Sequence, residues 1–192
     1  MKYFITLIII SCFLISETSN IFLNTSKVSI QIQKDIPDKK LQKYYKFKNG
    51  INFDLEFPFY VGFIKTSLDF SFYDNLTSES RSFISTHPNI VWGMILKLNQ
   101  KIEWFNGLSM GGYIYYFKDD WDKFFILGTT TETEISFGFL SSFSYNINNN
   151  FHLIFSIKNY HILTYQDINI TSLSIGIGKT INNPAWLNKV LN

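Results

Sequence analysis

The chain has 192 residues, of which 46% are hydrophobic and only 17% are charged. That length suits one domain with a sizeable core, and the charged fraction is below the roughly 25% typical of soluble domains. With a net charge of only +2, and no Lys/Arg cluster expected within the folded region, the composition argues against a nucleic-acid partner, which would need a basic stripe.

The N-terminal segment, KYFITLIIISCFLIS, has one Lys, then an apolar run, then small residues. This layout is typical of a secretory signal peptide, so we predict a leader at residues 1–19 with cleavage near 16–19. An uncleaved anchor is the alternative, and the stretch Ile9-Ile10-Ser11-Cys12 leaves open a lipoprotein box with Cys12 as the lipidated residue. Because the chain has a single cysteine, a disulfide framework or a thiolate metal site is excluded.

Beyond the leader, apolar and polar residues alternate in segment after segment, as in half-buried strands. No apolar run there reaches the roughly 20 residues of a membrane-spanning helix. We predict eight strands, in chain order at residues 27–33, 50–57, 62–73, 89–98, 102–117, 134–147, 151–163 and 172–181.

The sixth of these segments, EISFGFLSSFSYNI, shows two different faces. Rings such as Phe137 and Phe139 share one parity, whereas Ser136, Gly138 and Ser142 share the other. Alternate side chains of a strand point to opposite sides of its sheet, so one face is bulky and apolar and the other is small and polar.

The connections between the predicted strands alternate strictly between tight and long. The tight ones are residues 58–61, 99–101 and 148–150, and the long polar ones are 34–49, 74–88, 118–131 and about 164–171. If the strands run up and down, all long loops lie at one end and all tight turns at the other. This asymmetry indicates an environment with two different sides.

In strand number, loop alternation and leader, residues 27–181 resemble the small eight-stranded bacterial outer-membrane β-barrels. The resemblance implies an all-β, antiparallel, up-and-down transmembrane barrel, a porin-like architecture in contact with outer-membrane lipid. It also implies insertion by the barrel-assembly machinery, with turns and termini in the periplasm. We assign residues 20–181 to the barrel and 182–192 to a short, helical periplasmic tail, which departs from the usual aromatic end of the last strand.

A soluble, lipocalin-like carrier of an apolar ligand is the alternative, because its strands alternate in the same way with the faces reversed. The small size of the polar face favours the membrane barrel, since Ser and Gly suit a narrow interior whereas a water-facing surface carries long Lys and Glu side chains.

The same parity places charged and polar residues inside the barrel, where they must pair or meet water. We predict a structural polar network in the lumen, formed by Asp54, Glu56, Lys65, Asp69, Lys97, Glu103, Glu134, His152 and Lys158. An ion path is the competing hypothesis, although eight strands leave little open lumen.

Aromatic residues near the strand ends predict two belts at the membrane interfaces, where a side chain with an apolar body and a polar tip is favoured. The predicted members are Tyr60, Trp92, Trp104, Tyr113, Tyr116, Tyr145 and Tyr160.

The sequence contains no motif that predicts a cofactor, a metal site or a catalytic residue. His87 is expected in a loop and His161 near a strand end, and no spacing suited to metal ligation joins the histidines. His152 shares the inward face with Ser156, which leaves open a lipid-modifying hydrolase with a Ser–His–acid arrangement. A non-enzymatic structural or surface-interaction role is favoured, with any extracellular partner bound through loops 74–88 and 118–131.

Overall fold

The computed structural model describes residues 25–78, 80–117, 132–164 and 167–183. The predicted leader with Cys12, the loop at 118–131 and the tail from residue 184 lie outside the described residues. None of the helices in the described part is long and apolar enough to cross a bilayer. The described elements are β1 Thr25–Pro37, α1 Lys39–Gln42, β2 Tyr45–Pro58, β3 Phe63–Asn75, β4 Phe83–Lys97, β5 Ile102–Phe117, β6 Glu132–Asn146, β7 Phe151–Leu163 and β8 Ile168–Asn182.

The eight strands form a closed barrel in which each strand pairs with the next and β1 pairs with β8. Every one of these pairings is antiparallel, so the chain runs up and down around the barrel. Closure removes both sheet edges, whose backbone groups would otherwise lack partners. The predicted fold class is confirmed.

Along most of the wall, the inward side chains are polar and the outward side chains are apolar. Ser136 and Ser156 are 1% and 0% exposed, whereas the adjacent Phe137 and Phe155 are 45% and 42% exposed. The lipocalin-like alternative requires the opposite orientation and is therefore wrong. An apolar surface that surrounds the whole barrel needs an apolar medium, as in a transmembrane barrel.

The connections at the loop end are shorter than predicted because the strands continue further. β3 reaches Asn75 and β4 begins at Phe83, so His87 and Pro88 lie in a strand and not in the expected loop. The β4–β5 ladder has no pair at these two residues, between Thr86–Ile114 and Asn89–Gly111. Proline has no backbone N–H to donate, and the strand tolerates Pro88 where the ladder is interrupted.

The other end of the barrel has three tight connections, at residues 59–62, 98–101 and 147–150. In the first of them, Tyr60 and Gly62 have positive φ angles of 31° and 92°. A Cβ atom at Gly62 would lie 2.5 Å from the carbonyl oxygen of Gly93, so this turn requires glycine for both conformation and space.

Candidate functional site: the barrel interior and its two ends

The middle of the interior is organised around the buried carboxylate of Asp69. Lys158 Nζ lies 2.6 Å from Oδ1, and the amide of Asn52 donates to the same oxygen at 2.5 Å. Tyr160 donates its hydroxyl to Oδ2 at 2.7 Å, and His87 Nδ1 lies 3.3 Å from that oxygen. A buried charge is tolerated only when it is paired and its remaining lone pairs are satisfied, and Asp69 meets both conditions.

A second charged cluster lies between this centre and the turn end. Lys27 contacts Glu56 at 3.5 Å and also donates to Glu103. Lys65 lies 3.1 Å from Glu56 and donates to Ser142 at 3.3 Å. The two cations and two carboxylates come from β1, β2, β3 and β5, so the cluster ties four strands together across the interior.

A polar cavity of about 860 Å³ opens at the turn end, next to this cluster. Lys27, Glu103 and His152 line its inner part, and Lys97 and Lys101 lie at its rim. His152 is held by Asn146 Oδ1 at 2.7 Å and by Thr180 Oγ1 at 2.6 Å.

At the loop end, aromatic and aliphatic side chains fill the interior. Tyr73 and Phe83 stack with ring centroids 4.6 Å apart, and Leu41 of α1 packs onto the same group. We call this group the aromatic plug; its buried members are Leu41, Tyr73, Phe83, Tyr113, Tyr115, Tyr160, Ile162 and Ile170. The sequence pattern predicted an interior of small Ser and Gly side chains, and the plug corrects that prediction at the loop end.

Asp35 lies beyond the predicted first strand at residues 27–33, yet it is buried inside the barrel and anchors the plug on the side of the polar centre. Tyr73 donates its hydroxyl to Asp35 at 2.8 Å, Ser71 donates at 2.7 Å, and Ser172 also donates to this carboxylate. The hydroxyl groups of Tyr73, Tyr113 and Tyr160 therefore meet polar partners of the interior, while the apolar ring bodies pack within the plug.

The residues predicted for the lumen network occupy different positions. Lys97 is exposed at the turn-end rim and not in the lumen, because β4 ends at this residue. Glu134 is half-buried on the inward parity of β6, opposite Tyr113. Buried in the interior are Asp54, Glu56, Lys65, Asp69, Glu103, His152 and Lys158.

Two of the predicted interface aromatics face the wrong side for that role. Tyr113 and Tyr160 are buried inside, because they share the parity of Ser109 and Ser156. Tyr113 shares a 2.9 Å hydrogen bond with Ser85, and Tyr160 contacts Asp69. Exposed or half-buried on the remaining surface are Tyr60, Trp92, Trp104, Tyr116 and Tyr145.

The structure resembles solved structures of bacterial outer-membrane proteins. The Neisserial surface protein A, NspA, gives a TM-score of 0.58 at 12% identity, covering 80% of this chain and 96% of that one. OprG from Pseudomonas aeruginosa gives 0.54 at 7% identity over 83% and 97%. Ail of Yersinia pestis, in complex with the heparin analogue sucrose octasulfate, gives 0.51 at 13% identity over 82% and 99%.

The fold is that of a small eight-stranded outer-membrane β-barrel. The likeness extends over nearly the full length of each solved barrel, and at these identities it concerns the fold alone. No protein-family model and no curated protein sequence matches the chain.

Within the barrel, the Ser–His pair considered for a hydrolase does not form. Ser156 donates to Gln31 at 3.0 Å, whereas His152 is bound to Asn146 and Thr180. The second alternative, a lipid-modifying enzyme built on His152 and Ser156, therefore lacks its geometry.

A different set of side chains does have the order of a hydrolase triad. His87 Nε2 lies 2.7 Å from Ser136 Oγ, and His87 Nδ1 lies 3.3 Å from Asp69 Oδ2. All three side chains are buried inside the barrel, and Asp69 is already neutralised by Lys158. A nucleophile must be reachable by its substrate, so this arrangement is suited to holding strands together and not to acyl transfer.

The first loop-end connection is basic, a feature that the alternation of apolar and polar residues does not reveal. Five exposed lysines lie in α1, at its C-cap and in the first four residues of β2: Lys39, Lys40, Lys43, Lys46 and Lys48. Their signal is the stretch DKKLQKYYKFK, which contradicts the expectation that the folded region has no basic cluster.

Proposed function

We propose that this chain is an integral, non-enzymatic protein of a bacterial outer membrane that serves as a rigid anchor for a surface-exposed loop end. The observation that carries the proposal is the inside-out arrangement of the barrel wall, with apolar side chains exposed and polar side chains buried. Such a wall is stable in hydrocarbon and would aggregate in water.

The interior supports a structural role for the network. The Asp69 group and the Lys27–Glu103 cluster join strands by charge-assisted hydrogen bonds, and the aromatic plug fills the loop end. A lumen blocked by the plug and by the Asp69 group favours an anchor over a pore, because eight strands enclose little more space than side chains need. In this proposal the barrel-assembly machinery inserts the chain, with the tight turns on the periplasmic side.

The membrane assignment is tested by placing a lysine on the outer wall. Phe137→Lys, near the middle of β6, should lower the free energy of unfolding in phospholipid vesicles by about 2 to 4 kcal/mol. Thr133→Lys lies on the same face near the loop end and should cost less than about 1 kcal/mol. Denaturant titration, followed by the heat-dependent shift of the folded band on a gel, measures both values.

A water-exposed wall would give the opposite result. Replacing an exposed ring by lysine would then leave stability unchanged or improve solubility, and the two variants would behave alike. Failure of the unmodified chain to float with vesicles would equally contradict the membrane assignment.

We further propose that the loop end binds an anionic partner outside the cell. The short helix α1 presents Lys39, Lys40 and Lys43 to solvent while Leu41 fixes it to the plug. A rigid display of three cations favours a polyanion, and Ail, which has the same fold, is known in complex with a heparin analogue. Loops 76–82 and 118–131 would complete the contact surface.

The partner proposal predicts that a sulfated polysaccharide binds through α1. The variant Lys39→Gln/Lys40→Gln/Lys43→Gln should lose about tenfold or more in affinity at physiological salt. The control Lys97→Gln/Lys101→Gln/Lys179→Gln removes the same charge from the turn end and should bind like the unmodified chain. Both affinities are measured with folded, detergent-solubilised protein. Equal losses of affinity in the two variants would show that net charge alone drives binding and would contradict the assignment to α1.

A further inference from the structure

A groove of about 890 Å³ runs along the outer wall of the barrel, across β7, β8, β1 and β2. Its floor is a row of outward apolar side chains at adjacent register positions. Phe155 lies beside Ile175, Ile175 beside Ile32, and Ile32 beside Ile51. Acyl chains of a bilayer would lie along this row.

Lysines border the groove on the side of the loop end. Lys34 is the next outward residue after Ile32 on β1, and two strand residues span about 7 Å. On β2 the register shifts between Phe47 and Asn49, and Lys46 and Lys48 are exposed beside Lys34. The three cations therefore lie directly above an apolar floor.

The cations border the groove on β1 and β2, and the corresponding positions on β7, β8 and the adjoining β6 carry none. The first polar outward positions above the apolar wall on β6, β7 and β8 are uncharged: Thr133, Asn159 and Thr171. Lys48 lies 3.7 Å from Asp74, a pair in which both side chains are more than half exposed and which water screens strongly. Lys34 and Lys46 make no ion pair within the described strands and loops.

We propose that this groove is a binding site for a phosphorylated lipid of the outer leaflet. Its head-group phosphates would contact Lys34, Lys46 and Lys48, and its acyl chains would cover Ile32 and Ile175. Lysine stems can lie along apolar wall while the ammonium groups reach the head-group level. A free phosphate ion would meet the same cations but would gain nothing from the apolar floor, so the site favours an amphiphile.

This inference rests on the membrane assignment proposed above and adds a specific lipid contact to it. The test uses folded, detergent-solubilised protein and a bisphosphorylated lipid A as the probe, with bound lipid counted by native mass spectrometry. The variant Lys34→Gln/Lys46→Gln/Lys48→Gln should weaken binding by about tenfold to 100-fold, because it removes three cations that attract the phosphates at the lipid surface. The gel shift on heating establishes that the variant is folded.

Three comparisons decide the result. The equally charged control Lys97→Gln/Lys101→Gln/Lys179→Gln should bind the probe within about twofold of the unmodified chain, because these lysines lie at the turn end and do not line the groove. Dephosphorylated lipid A should bind weakly to every form. Equal binding by the wall variant, equal losses in both lysine variants, or full competition by millimolar inorganic phosphate would each overturn the proposal.

A failure of this kind would leave the membrane assignment intact, because Phe137→Lys and Thr133→Lys test that assignment on β6, whose residues do not line the groove. Conversely, a chain that does not insert into vesicles would contradict the membrane assignment, and the lipid site that depends on this assignment would fail with it.

Discussion

Lys158 shows how a single cation can be stable inside a narrow barrel. Its ammonium group lies 2.6 Å from Asp69 and 3.8 Å from Asp54, and it is almost completely shielded from solvent. The desolvation of these groups is offset only while all of them are present, because each carboxylate left alone would be a buried, unpaired charge.

Replacing Lys158 by methionine should therefore destabilise the barrel by about 3 to 5 kcal/mol. The double variant Lys158→Met/Asp69→Asn should recover part of that loss, since it removes the stranded charge and keeps an acceptor for Tyr160. Lys101→Met, at an exposed turn, is the matched control and should change stability by less than about 0.5 kcal/mol. Denaturant unfolding in vesicles measures all three, and an undisturbed Lys158→Met barrel would contradict the structural role of the network.

Parity was sufficient to predict which side most residues face. It assigned Ser136 to the interior and Phe137 to the wall from the sequence alone. Tyr113 and Tyr160 lie near strand ends, which favoured an interface position, but their parity is inward. Their hydroxyl partners, Ser85 and Asp69, are distant in sequence. No local pattern reveals such partners.

Among the secondary-structure elements, α1 is the one that connects the loop end to the barrel. Asp38 caps it by accepting hydrogen bonds from the backbone N–H groups of Lys40 and Leu41, both at 3.1 Å. The same carboxylate accepts from the backbone of Asn169 at 3.2 Å, at the start of β8. One side chain thus orders the helix and joins it to a distant strand.

Asp38→Ala should loosen this connection by about 1 kcal/mol while leaving the strands intact. Amide hydrogen exchange at residues 38–44 should accelerate about fivefold, and exchange in the centre of β7 should not change. Asp38→Asn, which keeps an acceptor oxygen, should lie close to the unmodified chain. Uniform acceleration throughout the barrel would instead indicate that α1 stabilises the whole fold.

Strand boundaries at the loop end were predicted too short for a physical reason. Alternation of apolar and polar residues marks a strand only where its outer face meets lipid, and the strands continue beyond that level. There the outward residues are polar, as with Asp74, and some inward residues are aromatic, as with Tyr73 and Phe83. The expected contrast between an apolar outward face and a polar inward face is reversed there, so the pattern predicts a loop where the strand continues.

At the scale of the whole molecule, strand number, direction and the in–out orientation followed from the sequence. The layers of the interior did not follow. An apolar cluster of Val91, Ile95, Phe105 and Leu140 lies near the turn end, the charged centre above it, and the aromatic plug at the top. This order depends on which strands meet across the lumen, and parity specifies a side chain's face but not its neighbours there.

The seam between β1 and β8 has a consequence for biogenesis. It runs from Thr25 opposite Asn182 to Pro37 opposite Ile170, and Ser26 is hydrogen-bonded to Asn183, 157 positions later. An incomplete polypeptide would keep two edge strands with unpaired backbone N–H and C=O groups, and each edge could pair with a strand of another molecule. Synthesis of β8 must therefore be complete before the barrel can close. Until then the cell must prevent the unfinished chain from associating with other copies.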